Sequence, residues 1–332
     1  MKELDSVIAE ILSRVDGTGP YPGQTPEEMR ALFSARIASE VQGGVRPSVE
    51  VVRMTVPTRS GELQARLYRP SLTRDGCGIL FFHSGGFVIG DLDTGEPVAL
   101  ALARHTAWPV ISVAYRLAPE HPFPAAVEDA IDSGSWIASR LDVFGTAADR
   151  FVVAGDSAGG TLAAVVAQEL GPGLSTLAAQ CLLYPALVAG DAEFDRNDDP
   201  FIDANAIQWF DSHYRASADM NDRRISPGLA HELERVPPAV FGVSKRDPLT
   251  AATARYSDAL QNAGVTTYYH AFDELPHGFA EFDCVSNAAE AAMKTISIDL
   301  VHAAESQHRN QANSTGANTV ATSEDTLDSV LP

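Results

Sequence analysis

Phe151-Val-Val-Ala-Gly-Asp-Ser-Ala-Gly-Gly160 reads as a buried strand that runs straight into a tight turn and then into a helix. Residues 151–154 are apolar, and residues 158–170 are rich in Ala and Leu. Between them, Gly155, Asp156, Ser157, Ala158 and Gly159 make the pattern G-x-S-x-G in its strand–turn–helix setting. A turn this sharp holds its serine in a strained backbone conformation, and the flanking glycines leave room for the neighbouring strand and helix. Ser157 is thereby raised above the sheet at a helix N-terminus, where the dipole favours a developing negative charge. The competing reading is a Gly-rich turn with a bystander serine, so the decision falls to the rest of the chain.

Outward from this stretch the pattern is βαβ. Residues 49–56 and 63–69 alternate apolar and polar about the turn Thr58-Arg-Ser-Gly61, which predicts an antiparallel pair. Residues 78–82, 109–114, 151–154, 181–183 and 239–243 are continuous apolar runs, as expected of strands buried on both faces. Residues 266–272 supply a last strand nearer the sheet edge. Helical segments lie near 97–106, 124–140, 158–170, 250–263 and 286–304, so the fold class is α/β with a doubly wound sheet. Two helical segments precede it. One covers 3–16, with Leu4, Val7, Ile8, Ile11, Leu12 and Val15 on one face. The other runs from Pro26 to about Glu40, with Thr25 and Glu28 as a capping box.

A second glycine-rich segment, Phe81-Phe-His-Ser-Gly-Gly-Phe-Val-Ile-Gly90, follows an earlier strand. Consecutive glycines there let backbone N–H groups converge on an oxyanion. A phosphate loop is excluded, because no Lys-Ser/Thr follows and the G-x-G-x-x-G spacing is missing. Asp247, in Ser244-Lys-Arg-Asp-Pro-Leu249, closes one predicted strand, and His277, in Pro276-His-Gly-Phe279, follows the last one. Both then fall on the same sheet edge as Ser157. Asp273 and Glu274 are nearby acids, but Asp247 alone ends a strong strand. No His/Glu cluster has metal-ligand spacing, so neither metal nor cofactor is expected.

These segments together resemble the hormone-sensitive-lipase family of α/β-hydrolases. The likeness is carried by His83-Ser-Gly-Gly86, Tyr115-Arg-Leu-Ala-Pro-Glu-His-Pro-Phe-Pro124, Gly155-Asp-Ser-Ala-Gly-Gly160, Asp247-Pro-Leu249 and His277-Gly-Phe279, in that order, across about residues 1–304. It implies an α/β-hydrolase fold with a mostly parallel eight-stranded sheet and a helical cap. It implies Ser157 as nucleophile, His277 as general base, Asp247 as the acid that orients it, and oxyanion donors at Gly85, Gly86 and Ala158. The family usually has His-Gly-Gly-Gly. Ser84 stands at the first of those glycines, and would be strained if the loop needed a positive φ there.

The expected organisation is cap helices in 1–45, a catalytic domain in 46–304 with a cap insertion at 190–235, and a disordered tail at 305–332. The insertion offers Phe201, Trp209, Phe210 and Tyr214 as pocket residues, with Tyr21 from the first cap segment and Ser84 from the oxyanion loop. The tail lacks aromatics and is rich in Ser, Thr, Asn and Ala.

Composition sets the remaining bounds. Lys and Arg total 24 against 44 Asp and Glu, a net charge of -20 with a sequence pI of 4.7. So acidic a chain is repelled by a nucleic-acid backbone. No run of about 18 apolar residues could span a bilayer, which excludes a membrane-spanning role. Lys2 is followed by Glu3 and Asp5 without an apolar leader, so no secretory signal is expected. Cys77, Cys181 and Cys284 are odd in number and lack C-x-x-C pairing, as in a reducing cytoplasm. The resemblance implies a carboxylesterase of short to medium acyl esters, with a small-molecule ester as its partner. It also makes a homodimer through the last strand and neighbouring helix plausible. An amide, carbamate or lactone hydrolase would use the same three side chains. A ligand receptor on this fold, as the plant gibberellin receptors are, would lack the histidine that His277 supplies.

Overall fold

The computed structural model describes residues 3–13, 23–40, 48–190 and 199–320. Its centre is one eight-stranded sheet, of β1 (Val49–Thr58), β2 (Gly61–Pro70), β3 (Gly76–Phe82), β4 (Val110–Val113), β5 (Ala148–Asp156), β6 (Leu177–Leu183), β7 (Ala239–Ser244) and β8 (Thr267–Phe272). The spatial order is β1-β2-β4-β3-β5-β6-β7-β8. Strand β2 runs antiparallel to both β1 and β4, and every other neighbouring pair is parallel. The first hairpin turns where the sequence predicts, with Thr58 opposite Gly61.

Alternation along the strands builds a core on each face. From β3, Leu80 and Phe82 enter one apolar cluster, together with α4 (Ala125–Ser139), α5 (Ala158–Leu170) and α7 (Thr250–Asn262). Ile79 and Phe81 enter the other, with α3 (Glu96–Thr106) and α8 (Asn287–Val320). Each such side chain contributes roughly 1.5–3 kcal/mol by leaving water. The central strands are covered on both sides, which is why they read as unbroken apolar runs.

The N-terminal helices divide the work expected of a cap. Helix α1 (Ser6–Leu12) is shorter than its amphipathic pattern predicts and is capped by Asp5, which accepts from the Val7 and Ile8 N–H groups. Its fully buried Ile8 joins the α3/α8 cluster, so α1 packs on the body of the protein. Helix α2 (Pro26–Glu40) begins with the predicted box. Glu28 accepts the Thr25 N–H at 2.8 Å, and Thr25 accepts the Glu28 N–H at 3.3 Å. In the insertion, α6 (Ala204–Tyr214) is capped by Asp203, and a single 3-10 turn follows at Pro227–Leu229.

Helix α8 does not stop at 304 but continues to Val320, through part of the stretch predicted to be disordered. Its buried apolar stripe ends at Ala303 and Ala304. Tyr21, Val15 and residues 321–332 lie outside the described residues.

The cap on α2 carries a prediction. Thr25→Ala removes one acceptor and half of a reciprocal pair, a loss of about 0.5–2 kcal/mol in helix stability. Hydrogen exchange should quicken at the first-turn amides of α2, while the amides of β3 and β5 keep their protection.

Candidate active site

Three chain segments end at one point above the C-terminal edge of the sheet. Strand β5 passes into α5 through Ser157, whose φ of 53° and ψ of -116° lie outside the usual regions for a side-chain-bearing residue. The turn fits because Gly155 and Gly159 lack side chains. A Cβ on Gly155 would strike the Gly159 carbonyl, and one on Gly159 would strike the carbonyl of Phe82 at the end of β3. Asp247 lies just past β7, and His277 lies on the loop after β8.

The side chains meet in a line. His277 Nε2 is 3.0 Å from Ser157 Oγ, and His277 Nδ1 is 2.6 Å from Asp247 Oδ2. Asp247 Oδ1 accepts the Leu249 N–H at 2.8 Å, which fixes the carboxylate plane. With its Nδ1–H donated to Asp247, the imidazole offers Nε2 as an acceptor for the serine hydroxyl. Burial opposes the imidazolium, but the adjoining charge of Asp247, reinforced by Asp199 and Glu281, outweighs it and raises the His277 pKa.

The oxyanion loop faces the same point. Gly85 and Gly86 take φ values of 117° and 57°, conformations that a side chain would strain. Among the described residues, no hydrogen-bond acceptor is found for either N–H. Ser84 is not among the positive-φ residues, so the serine in place of glycine brings no left-handed strain. Its hydroxyl reaches toward Glu281 Oε1 at 3.5 Å. His83 is an anchor: its Nδ1 lies 2.7 Å from the Ser84 carbonyl, and its ring stacks on Tyr115 at 4.4 Å. Tyr115 donates its hydroxyl to the His83 carbonyl at 2.8 Å. Burial lowers the His83 pKa to about 4, so the ring is neutral.

Above these groups opens a cavity of about 570 Å³. Of the predicted pocket residues, Ser84, Phe201, Phe210 and Tyr214 line it. Trp209 does not. One position along α6 from Phe210, it donates its Nε1–H to the carbonyl of the cavity-lining Gln24 at 3.2 Å. Helix α2 supplies a wall that sequence reasoning missed, with Met29, Leu32, Phe33 and Arg36 facing inward. Their i, i+3, i+4, i+7 spacing was the available signal, disguised by the charge on Arg36. That guanidinium lies 5.0 and 4.9 Å from the ring centres of Phe33 and Phe201. It bonds Glu40 at 2.8 Å and Glu281 at 3.0 Å. Burial raises the Glu40 carboxyl to about 7 against the pull of Arg36, and Glu281 adds to the rise.

Among the described residues, no three His, Cys, Asp or Glu side chains converge as metal ligands. No described helix is long and apolar enough to cross a membrane.

Asp156, beside Ser157, is 1% exposed, with the Tyr184 hydroxyl 3.4 Å from its Oδ2. Burial, then the charge of Glu281, raises its pKa to about 8. The folded protein therefore keeps a proton there that the unfolded chain releases near pH ~3.9. That contribution to stability declines as pH rises and is gone above about 8. Asp156→Asn should be free of this slope. Its thermal stability relative to wild type should improve steadily from pH 5 to pH 9, as read by unfolding scans; a constant offset would refute the assignment.

Comparison with known proteins gives one answer. The chain is 37% identical over 298 residues to "Esterase LipI" of Mycobacterium tuberculosis (strain ATCC 25618 / H37Rv), covering 87% of this chain and 92% of that protein. It is 32% identical over 256 residues to "Ethyl acetate hydrolase" of Pseudomonas putida, covering 73% and 80% of the two chains. Among solved structures, the hyperthermophilic esterase from the archaeon Pyrobaculum calidifontis superimposes with a TM-score of 0.84 at 32% identity, over 91% of this chain and 99% of that one. Residues 79–281 match the family described as alpha/beta hydrolase fold. The chain belongs to that family, in its branch of hormone-sensitive-lipase-like carboxylesterases.

Proposed function

We propose that the protein is a serine carboxylic-ester hydrolase that works through an acyl-enzyme. The observation that carries this reading is the chain of hydrogen bonds Ser157–His277–Asp247, at 3.0 and 2.6 Å, at the foot of a largely apolar cavity. The names of the relatives, esterases and an ethyl acetate hydrolase, support it.

In the proposed reaction, His277 Nε2 takes the Ser157 proton as Oγ attacks the ester carbonyl. The carbonyl oxygen becomes an oxyanion held by the N–H groups of Gly85, Gly86 and Ala158, the last at the start of α5 where the helix dipole adds to it. The imidazolium, steadied by Asp247, then protonates the departing alcohol. Water enters, loses a proton to His277 and attacks the acyl-enzyme, and collapse of the second tetrahedral species frees the acid and restores Ser157. The cavity volume lies in the range of small-molecule clefts. With Phe33, Phe201, Phe210 and Leu249 on its walls it suits acyl chains of short to medium length.

Two further readings belong to this proposal. Cys77, Cys181 and Cys284 are free thiols, in keeping with a cytoplasmic protein. Strand β8 is the outer strand of the sheet beside α8, and a homodimer would pair copies along that edge.

Hydrolysis of p-nitrophenyl esters from acetate to palmitate, with wild type beside Ser157→Ala, is the test. Wild type should turn over the short esters fastest. The variant should lose a factor on the order of 10⁴–10⁶ in kcat. A folded wild-type protein that hydrolyses no ester and takes no phosphonate at Ser157 would sink the reading and favour a receptor. Labelling without turnover would point to an amide, carbamate or lactone substrate.

A further inference from the structure

Asp199 belongs to the insertion between β6 and β7, just before α6 and far in sequence from Asp247 and His277. Its side chain is buried, with 8% of the residue exposed. Oδ2 accepts the backbone N–H of His277 at 2.6 Å, while Oδ1 accepts the N–H groups of Phe201 at 2.9 Å and Ile202 at 3.3 Å. One carboxylate therefore ties the main chain of His277 to two residues of the cavity wall. Together with Asp247 on its ring, His277 is bracketed by two acids.

The charged and titratable groups around this histidine come from every adjoining segment. Asp247 follows β7, Asp199 comes from the insertion, Asp156 precedes Ser157, and Glu281 follows on the next turn, paired with Arg36 of α2. The Tyr184 ring lies 4.8 Å from the imidazole. Burial, then repulsion from Asp247, raises the Asp199 pKa to about 6, whereas a charged His277 would draw it down. Asp199 is thus held where its ionisation is favoured once the imidazole carries a proton, the state that forms as Ser157 is deprotonated.

We propose that Asp199 is a positioning residue for the acyl transfer, fixing the His277 main chain from the cap side and stabilising the imidazolium together with Asp247. The proposal rests on the reading of His277 as general base. It gives the cap a part in the chemistry: Phe201 and Ile202 touch the substrate space and share their carboxylate with the base.

The sign follows from the charge. A carboxylate beside His277 favours imidazolium, so removing it lowers the pH at which the base becomes neutral. The test is the pH dependence of kcat/KM for p-nitrophenyl butyrate in wild type, Asp199→Asn and Asp199→Glu, normalised to sites titrated with a p-nitrophenyl phosphonate. Asp199→Asn should move the acid limb down by roughly one pH unit and lower kcat with KM nearly unchanged. Asp199→Glu, which keeps the charge, should return the inflection to the wild-type position. If the Asn variant yields no titratable sites, Asp199→Ser takes its place, since its hydroxyl keeps one acceptor and drops the charge. A profile that overlays wild type after scaling overturns this inference and leaves the acyl-transfer reading standing. Wild-type protein that neither titrates nor turns over overturns both.

Discussion

The fold is organised around the backbone of one residue. A serine at φ 53° costs on the order of 1–3 kcal/mol, and the surroundings hold it there. Its N–H donates to the Leu183 carbonyl at the end of β6, and its own carbonyl accepts from Thr161 in α5. Gly159 lets α5 approach the end of β3 so closely that no side chain fits between them. The Gly85–Gly86 loop leaves that same end of β3, so one close contact sets the distance between Ser157 and the N–H groups of that loop. Cores on both faces of the sheet, with Phe81 on one and Phe82 on the other, keep these strand ends from moving apart.

What the sequence revealed follows from how local each signal is. The elbow was readable because strand, turn and helix are contiguous and the glycines are needed within a few residues of the serine. Asp247 and His277 were readable because a parallel sheet delivers its strand ends to one edge, so ordering the strands places the side chains. The cap was less legible. Helix α2 carries a charged residue on its inward face, which blurs the amphipathic pattern. The partners of Arg36 are Glu40, four residues away, and Glu281, across the fold. Asp199 looked like one more acid in a polar insertion, and nothing in its neighbours announced a bond to the backbone of residue 277. Trp209 and Phe210 are adjacent aromatics, and composition alone could not say which of the two turns inward. The run of α8 past 304 has no signal in the composition, since residues 306–320 are rich in Ser, Thr and Asn.

The acidity of the chain takes on a second meaning at the site. Asp156, Asp199, Asp247, Glu281 and Glu40 all lie buried around one histidine and one arginine. Such a crowd cannot remain fully ionised in a low-dielectric interior. Burial pushes the Asp156 and Glu40 carboxyls up, so these two hold their protons more readily than free carboxylates, while Asp247 is paired with the imidazole. The carboxylate bonded to His277 is the charge that favours its imidazolium form.

Arg36 pins helix α2 against the cavity. Its guanidinium is wedged between two phenyl rings and two carboxylates, one of them on the turn that follows the histidine. Swinging α2 outward would carry Glu40 along with Arg36 but part Arg36 from Glu281, leaving that buried carboxylate without its cation, a penalty of several kcal/mol. The helix is thus a fixed lintel rather than a door. With the half-exposed Leu32 and with Phe33 on the cavity side, it is a rigid wall that bounds the space open to a bound molecule.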